Sequence, residues 1–153
     1  MGKIEEKIQS MGIIIPETPK PVASYVPCVQ IGKLIYTSGQ GCKKDGFPVY
    51  KGKLGEDISI DEGYEAAKIA MINCLAILKG YLGSLDKIKR IVKVLGFVAS
   101  TSEFDQQPKV INGASDLLLA IFGERGQHAR SAIGTNIISS NMPVEIEMIA
   151  EIE

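Results

Sequence analysis

The amino-acid sequence predicts an α+β fold, a mostly antiparallel sheet with two helices packed on one face in the order ββαβαββ. Two stretches, after residues 59 and 107, carry apolar residues at helical spacing between start and stop signals. Five others read as strands, the first two of them carrying β-branched and aromatic residues. One of these, "KIKRIVKVLGFVAS", is mainly apolar in both alternate sets, so a strand there needs cover on both faces. Two helices cover only one face of such a sheet. Association with further copies of the chain is the simplest source of the rest.

With 153 residues and 45% hydrophobic composition the chain can bury one sizeable core. Residues 1–153 read as a single domain, with residues 1–20 as an N-terminal extension. There "KIEEKIQSMG" has the pattern of a short helix, and "PETPKP" is a rigid polar connector that cannot continue it. "ASYVPCVQIG" and "KLIYTSG" read as two strands joined by a tight hairpin at Gly32 and Lys33, with Pro27 placing the first at an edge or a bulge. Residues Gln40 to Ile58, rich in Gly and Lys and without period, predict a long surface loop with a short strand around Val49 and Tyr50.

Ser59 and Glu62 have the form of a capping box. Ile60, Tyr64, Ala67, Met71, Cys74, Leu75, Leu78 and Leu82 follow at helical spacing until Gly83 stops the run. The two-faced strand comes next, with Ile91, Leu95, Phe97 and Ala99 on one side and Val92, Val94 and Val98 on the other. Pro108 suits the first turn of a second helix through Ile111, Ala114, Leu118 and Ile121 to Phe122, ended by Gly123. "ARSAIG" and "VEIEMIAEI" are the closing strands.

Several function classes are disfavoured. Net charge is −1 and the basic residues are dispersed, which gives no footprint for nucleic acid. The charges of "KIKRIVK" point to both sides of a strand without interleaved aromatics. Cys28, Cys42 and Cys74 are odd in number and far apart, so neither a disulfide framework nor a metal site is expected. The glycines of "GQGCKKDG" lack the context of a phosphate loop. The N-terminus is charged at once and no apolar run reaches ~18 residues, which predicts a soluble, cytoplasmic protein without membrane association.

Chemistry concentrates near the C-terminus. "HARSAIG" carries the chain's one histidine, His128, and then Arg130 among small and apolar neighbours. Arg130 has two readings: a structural ion pair with a glutamate of the following strand, or a planar fork left free to grip a small carboxylate or phosphate. Period two puts Glu145 and Glu147 on one face, either a solvated surface or a partner for Arg130 if the two strands are adjacent and antiparallel. His128 titrates near neutral pH, yet no Ser or Cys nucleophile is visibly paired with it, and a packed or wet histidine is the plainer reading. Asn112, Ser115 and Asp116 interrupt the apolar stripe of the second helix, as a wet face or as the lining of a cleft.

Taken in order, "YVPCVQIGKLIYTSGQ", "INGASDLL", "HARSAIG" and "VEIEMIAEIE" resemble the reactive intermediate deaminase family, also called RidA, YjgF or the L-PSP endoribonuclease family. The resemblance spans roughly residues 20 to 152. It implies a chorismate-mutase-like fold in a homotrimer with clefts between subunits, and hydrolysis of 2-imino acids such as 2-iminobutanoate or 2-iminopropanoate to 2-keto acids and ammonia, with no cofactor. By position, Arg130 matches the arginine that grips the substrate carboxylate and Glu145 the glutamate that helps position the attacking water. Tyr25, Ser38, Gly39 and Asn112 match residues lining the substrate site. Ala132 stands where the best-known branch often has a cysteine, which excludes any role for that thiol, and the stretch from Gly41 to Glu56 is longer than in short members. Competing readings are a non-catalytic sensor of small carboxylates, the endoribonuclease or translation inhibitor after which part of the family is named, and a chorismate mutase by fold analogy alone.

Overall fold

In the computed structural model, which describes residues 1–18 and 23–153, the longest helix begins at the capping box. The Ser59 hydroxyl accepts from the Glu62 amide and the Glu62 carboxylate from the Ser59 amide, each at 3.1 Å. This helix, α2 (Ile60–Leu82), runs to Gly83, whose φ of +81° suits a residue without a Cβ. Helix α3 (Gln107–Phe122) carries Pro108 in its first turn and stops at Gly123. A shorter α1 (Lys3–Ser10) precedes both. Asp86 accepts from the Lys3 and Ile4 amides at the start of α1, while Glu5 of α1 accepts from the Leu85 amide at 2.6 Å. Ile4 and Ile8 join the common core, so this helix is a third packed element and more than an extension. Residues 19–21 of the expected polar connector lie outside the described residues.

Strands β1 (Cys28–Ile31) and β2 (Leu34–Thr37) form the expected hairpin, with Gly32 at φ +58° supplying the first position of its two-residue turn. Pro27 immediately precedes the edge strand. The sheet runs β1–β2–β8–β6–β7, where β6 is Ile88–Ala99, β7 Ala129–Thr135 and β8 Val144–Ile152. Strand β6 pairs antiparallel with β8 and parallel with β7, because α3 carries the chain back along the sheet before β7 begins. The two closing strands are therefore not neighbours. Strand β6 lies between them and is paired along both edges.

Two further details differ from expectation. A register shift between Ile91 and Lys93 turns Ile91 to the same face as Val94 and Val98, so the alternate sets are broken once. Residues 40–58 are anchored instead of loose. Strand β3 (Gln40–Gly41) pairs with β8. Strands β4 (Lys43–Lys44) and β5 (Phe47–Pro48) pair around Asp45 and Gly46, both at positive φ, so the short strand falls ahead of Val49 and Tyr50. Cys42, Leu54 and Ile58 are buried, and the Asn73 amide donates to the carbonyls of Gly41 and Lys43.

The core lies between α2, α3 and one sheet face, where Ile35, Ile91, Val94, Val98, Ile146 and Ala150 are buried. The helices approach closely at Gly113, where a Cβ would lie 2.8 Å from the Tyr64 carbonyl carbon. Among the described residues the other sheet face bears no helix, and Val29, Ile31, Tyr36 and Ile133 are exposed on it. Among the described residues no helix is long and apolar enough to cross a membrane.

Candidate active site

Arg130 sits on the edge strand β7 opposite the buried Val94, so its side chain leaves on the helix face and meets α3. Its Nη1 donates to Asn112 Oδ1 at 2.8 Å and to Ser115 Oγ at 3.1 Å. Nη2 makes a long contact of 3.5 Å with the Pro108 carbonyl. Both Nη1 hydrogens are thereby used. The Nε–H, which shares one edge of the guanidinium with Nη2, has no acceptor among the described residues.

Among the described residues no carboxylate pairs with this cation. Among the described residues the ion pair formed is Lys89 with Glu151 at 3.0 Å. Glu145 pairs in register with Phe97, on the opposite face of β6 from Val94, and Glu147 follows it on that face. The structural ion pair is thus ruled out by strand order: β6 intervenes and the side chains leave on opposite sides.

His128 is engaged more fully than its sequence context indicated. Its Nδ1 lies 2.6 Å from the Gly126 carbonyl oxygen and its Nε2 2.9 Å from Ser115 Oγ. A carbonyl only accepts, so Nδ1 carries the proton, Nε2 is bare, and the Ser115 hydroxyl donates to it. Ser115 then accepts from Arg130, giving a directed chain from Arg130 through Ser115 to His128. Burial lowers the His128 pKa and so does the Arg130 charge, against the raising effect of the Gly126 bond. Asn112, Ser115 and Asp116 together were the available signal: three polar residues on one turn of an otherwise apolar stripe.

Between α3 and β7 lies an open cavity of about 350 Å³ lined by Asn112, Ser115, Asp116, Gln127, His128 and Arg130. Asp116 accepts from the Tyr64 hydroxyl at 2.8 Å, a bond that raises the Tyr64 pKa. Among the described residues no three His, Cys, Asp or Glu side chains converge as a metal site would need.

The remaining expected residues gather on the helix-free face. A Cβ on Gly39 would stand 2.9 Å from Glu145 Oε2, so the glycine lets the carboxylate pass against the backbone. Ser38 ties down the same corner, its hydroxyl donating to the Val26 carbonyl at 2.6 Å and its amide to that of Pro27 at 2.8 Å. Tyr25, next to Val26, is 54% exposed. Glu145 is half-buried and borders a cavity of about 310 Å³ with Phe97, Thr135 and Ile137. Burial raises its pKa, and the neighbouring Glu147 raises it further. One chain therefore brings Arg130 to Asn112, and Glu145 to Gly39 and Ser38. It does not bring these two groups together.

Comparison with known proteins agrees with the fold. A family model described as "YjgF/chorismate_mutase-like, putative endoribonuclease" matches residues 5–152. The chain belongs to this family. Its YjgF relatives include Protein TCP17 of Trypanosoma cruzi, 36% identical over 152 residues, which are 99% of this chain and 95% of that protein. A crystal structure from Shewanella oneidensis MR-1 carries the same endoribonuclease description. It superposes with a TM-score of 0.94 at 34% identity, covering 99% of this chain and 100% of that one. A 2-iminobutanoate/2-iminopropanoate deaminase of Dermatophagoides farinae is 29% identical over 141 residues, 92% of this chain and 95% of that protein. The YjgF family thus contains proteins named for two different activities, and the choice between them rests on site chemistry.

Proposed function

We propose that this YjgF-family chain hydrolyses small 2-imino acids to 2-keto acids and ammonia. The observation that carries the reading is the Arg130 guanidinium, fixed through Nη1 by two neutral partners, with an edge whose Nε–H is unpaired and whose Nη2 makes only the long Pro108 contact. Such an edge fits both oxygens of one carboxylate. In this reading the site is shared in a homotrimer: Arg130 and Asn112 come from one subunit, and Tyr25, Ser38, Gly39 and Glu145 from the helix-free face of a neighbour. The exposed apolar residues on that face supply the reason to associate.

The chemistry asked of the site is modest. An imine carbon is electrophilic, more so when its nitrogen is protonated. Arg130 holds the carboxylate, and Glu145, whose raised pKa suits a proton acceptor working nearer neutrality, orients a water and takes its proton. The resulting carbinolamine expels ammonia after proton return to nitrogen. No covalent nucleophile takes part.

The decay of enzymatically generated 2-iminobutanoate, trapped with semicarbazide, tests this. Wild type accelerates decay, and Arg130→Ala loses roughly a hundredfold or more of that acceleration as the charge-assisted contacts disappear. No acceleration by the folded wild type would overturn the catalytic reading and favour a carboxylate sensor built on the same arginine.

A further inference from the structure

We propose that His128 is a positioning residue: through Ser115 it holds the Arg130 guanidinium in one orientation, and protonation of its bare ring nitrogen releases that hold. The ligand side of this inference rests on the function proposed above. The orientation side stands on the hydrogen bonds themselves.

Arg130 is anchored mainly at Nη1, by Asn112 and Ser115, with one long 3.5 Å contact from Nη2 to the Pro108 carbonyl. Ser115 Oγ can direct its lone pairs at the guanidinium because its hydrogen has an acceptor in His128 Nε2, 2.9 Å away. The Gly126 carbonyl fixes the tautomer from the far side at 2.6 Å. Placing a proton on Nε2 turns that acceptor into a donor. The Ser115 hydrogen then loses its partner, its oxygen must accept from two cationic donors, one on each lone pair, and the second positive charge repels the Arg130 guanidinium beside it. A Ser–His nucleophile is the rival reading of this pair. It is disfavoured because the serine oxygen already accepts from Arg130 and lies on a helix interior turn.

The charged and titratable groups around His128 are Asp116 on α3, with Tyr64 of α2 bonded to it, and Arg130 on β7. Lys93 of β6 stands beside Ala129, and Glu124 and Arg125 lie in the turn before the strand. Among these, Arg130 adds to burial in keeping the imidazole neutral. Glu145, on the helix-free face, acts with the opposite sign on a bound anion: its ionisation on rising pH repels a carboxylate, whereas loss of the His128 proton removes one positive charge but restores the hold on Arg130, which outweighs it.

Two readouts on the folded protein test the proposal, with His128, the one histidine, titrated by its own ring resonances. The first is ¹⁵N relaxation of the Arg130 Nε–H without ligand. The second is calorimetric binding of 2-oxobutanoate, a stable product-like 2-keto acid. In wild type at pH 7.5 Arg130 is ordered. As pH falls through the His128 titration, that order is lost and affinity drops about tenfold, the worth of one charged hydrogen bond. His128→Phe is disordered at Arg130 and about tenfold weaker at both pH extremes, while His128→Gln, which keeps an acceptor without titrating, restores order and a flat profile. Should His128→Phe not fold, Ser115→Ala breaks the same link. Arg130 order and affinity that ignore the His128 titration, or a His128→Phe variant equal to wild type, would overturn the proposal. Arg130 order that follows His128 while 2-oxobutanoate binds at no pH upholds the relay and removes the carboxylate reading instead.

Discussion

Gly113→Ala opposes two principles and thereby tests the packing beneath the site. In an isolated helix this change is favourable by ~1 kcal/mol, since alanine loses less backbone entropy than glycine. Here the added methyl would meet backbone: the Tyr64 carbonyl carbon lies 2.8 Å from its position, and no rotamer change moves a backbone atom aside. The Tyr64 carbonyl oxygen stands closer still, and ordinary contacts begin beyond ~3 Å, so α3 has to withdraw from α2 by about an ångström or more. A gap of that size forfeits a quarter to a half of the dispersion energy along the contact, which includes the buried Val110, Ile111, Ala114 and Leu117. Overpacking of this kind costs about 2–4 kcal/mol, so the net destabilisation after the helix gain is roughly 1–3 kcal/mol. At fixed protein concentration the melting midpoint falls by roughly 3–10 °C. Asn112, the adjacent residue, shifts with the helix, so 2-oxobutanoate binding weakens too. A midpoint unchanged or raised in Gly113→Ala would refute the argument from close approach.

Two further outcomes follow from the helix-free face. Folding raises the Glu145 pKa, so the folded state binds the extra proton, and the stability this gives is present below the usual glutamate value and lost as pH rises through the folded one. Glu145→Gln therefore leaves the urea midpoint unchanged near pH 4 and raises it at pH 8; equal midpoints at both would show that the carboxylate is not disfavoured by its surroundings. Ile133→Asp puts a charge among the exposed apolar residues of that face, and sedimentation should show the three-chain mass of wild type replaced by the single-chain mass; wild type sedimenting as a single chain would remove the shared-site arrangement.

Local signals made much of this fold legible. The Ser59–Glu62 box, the Gly32–Lys33 hairpin and the stop at Gly123 act within a few residues, and sequence pattern records such effects directly. Strand order is different. That β6 separates β7 from β8 follows from a crossover through α3 and from pairings made across the whole sheet, and no residue near Arg130 encodes it. The same limit hid the fate of Arg130. Its surroundings of small residues left room for a ligand, but whether a glutamate would reach it depended on order and facing. Ser115 and His128 stand thirteen positions apart, and their hydrogen bond exists only because α3 returns the chain beside its parallel strand. The β4–β5 hairpin was hidden by its own brevity: two residues a side carry no periodicity.

The central place of β8 bears on how the molecule assembles. It comes after every other strand in chain order, yet β2, β3 and β6 all pair with it. Until it has been synthesised, β2 and β6 face one another across a missing strand, each with an open row of amides and carbonyls. Such edges are the ones that recruit foreign strands. The β6–α3–β7 unit, which carries Arg130, Asn112, Ser115 and His128, is contiguous in sequence and can organise while the chain is still growing. Closure of the sheet waits for pairings of high sequence separation and is the slow, aggregation-exposed stage. A nascent chain of this design benefits from a chaperone that shields one strand's width of sheet until its last strand arrives.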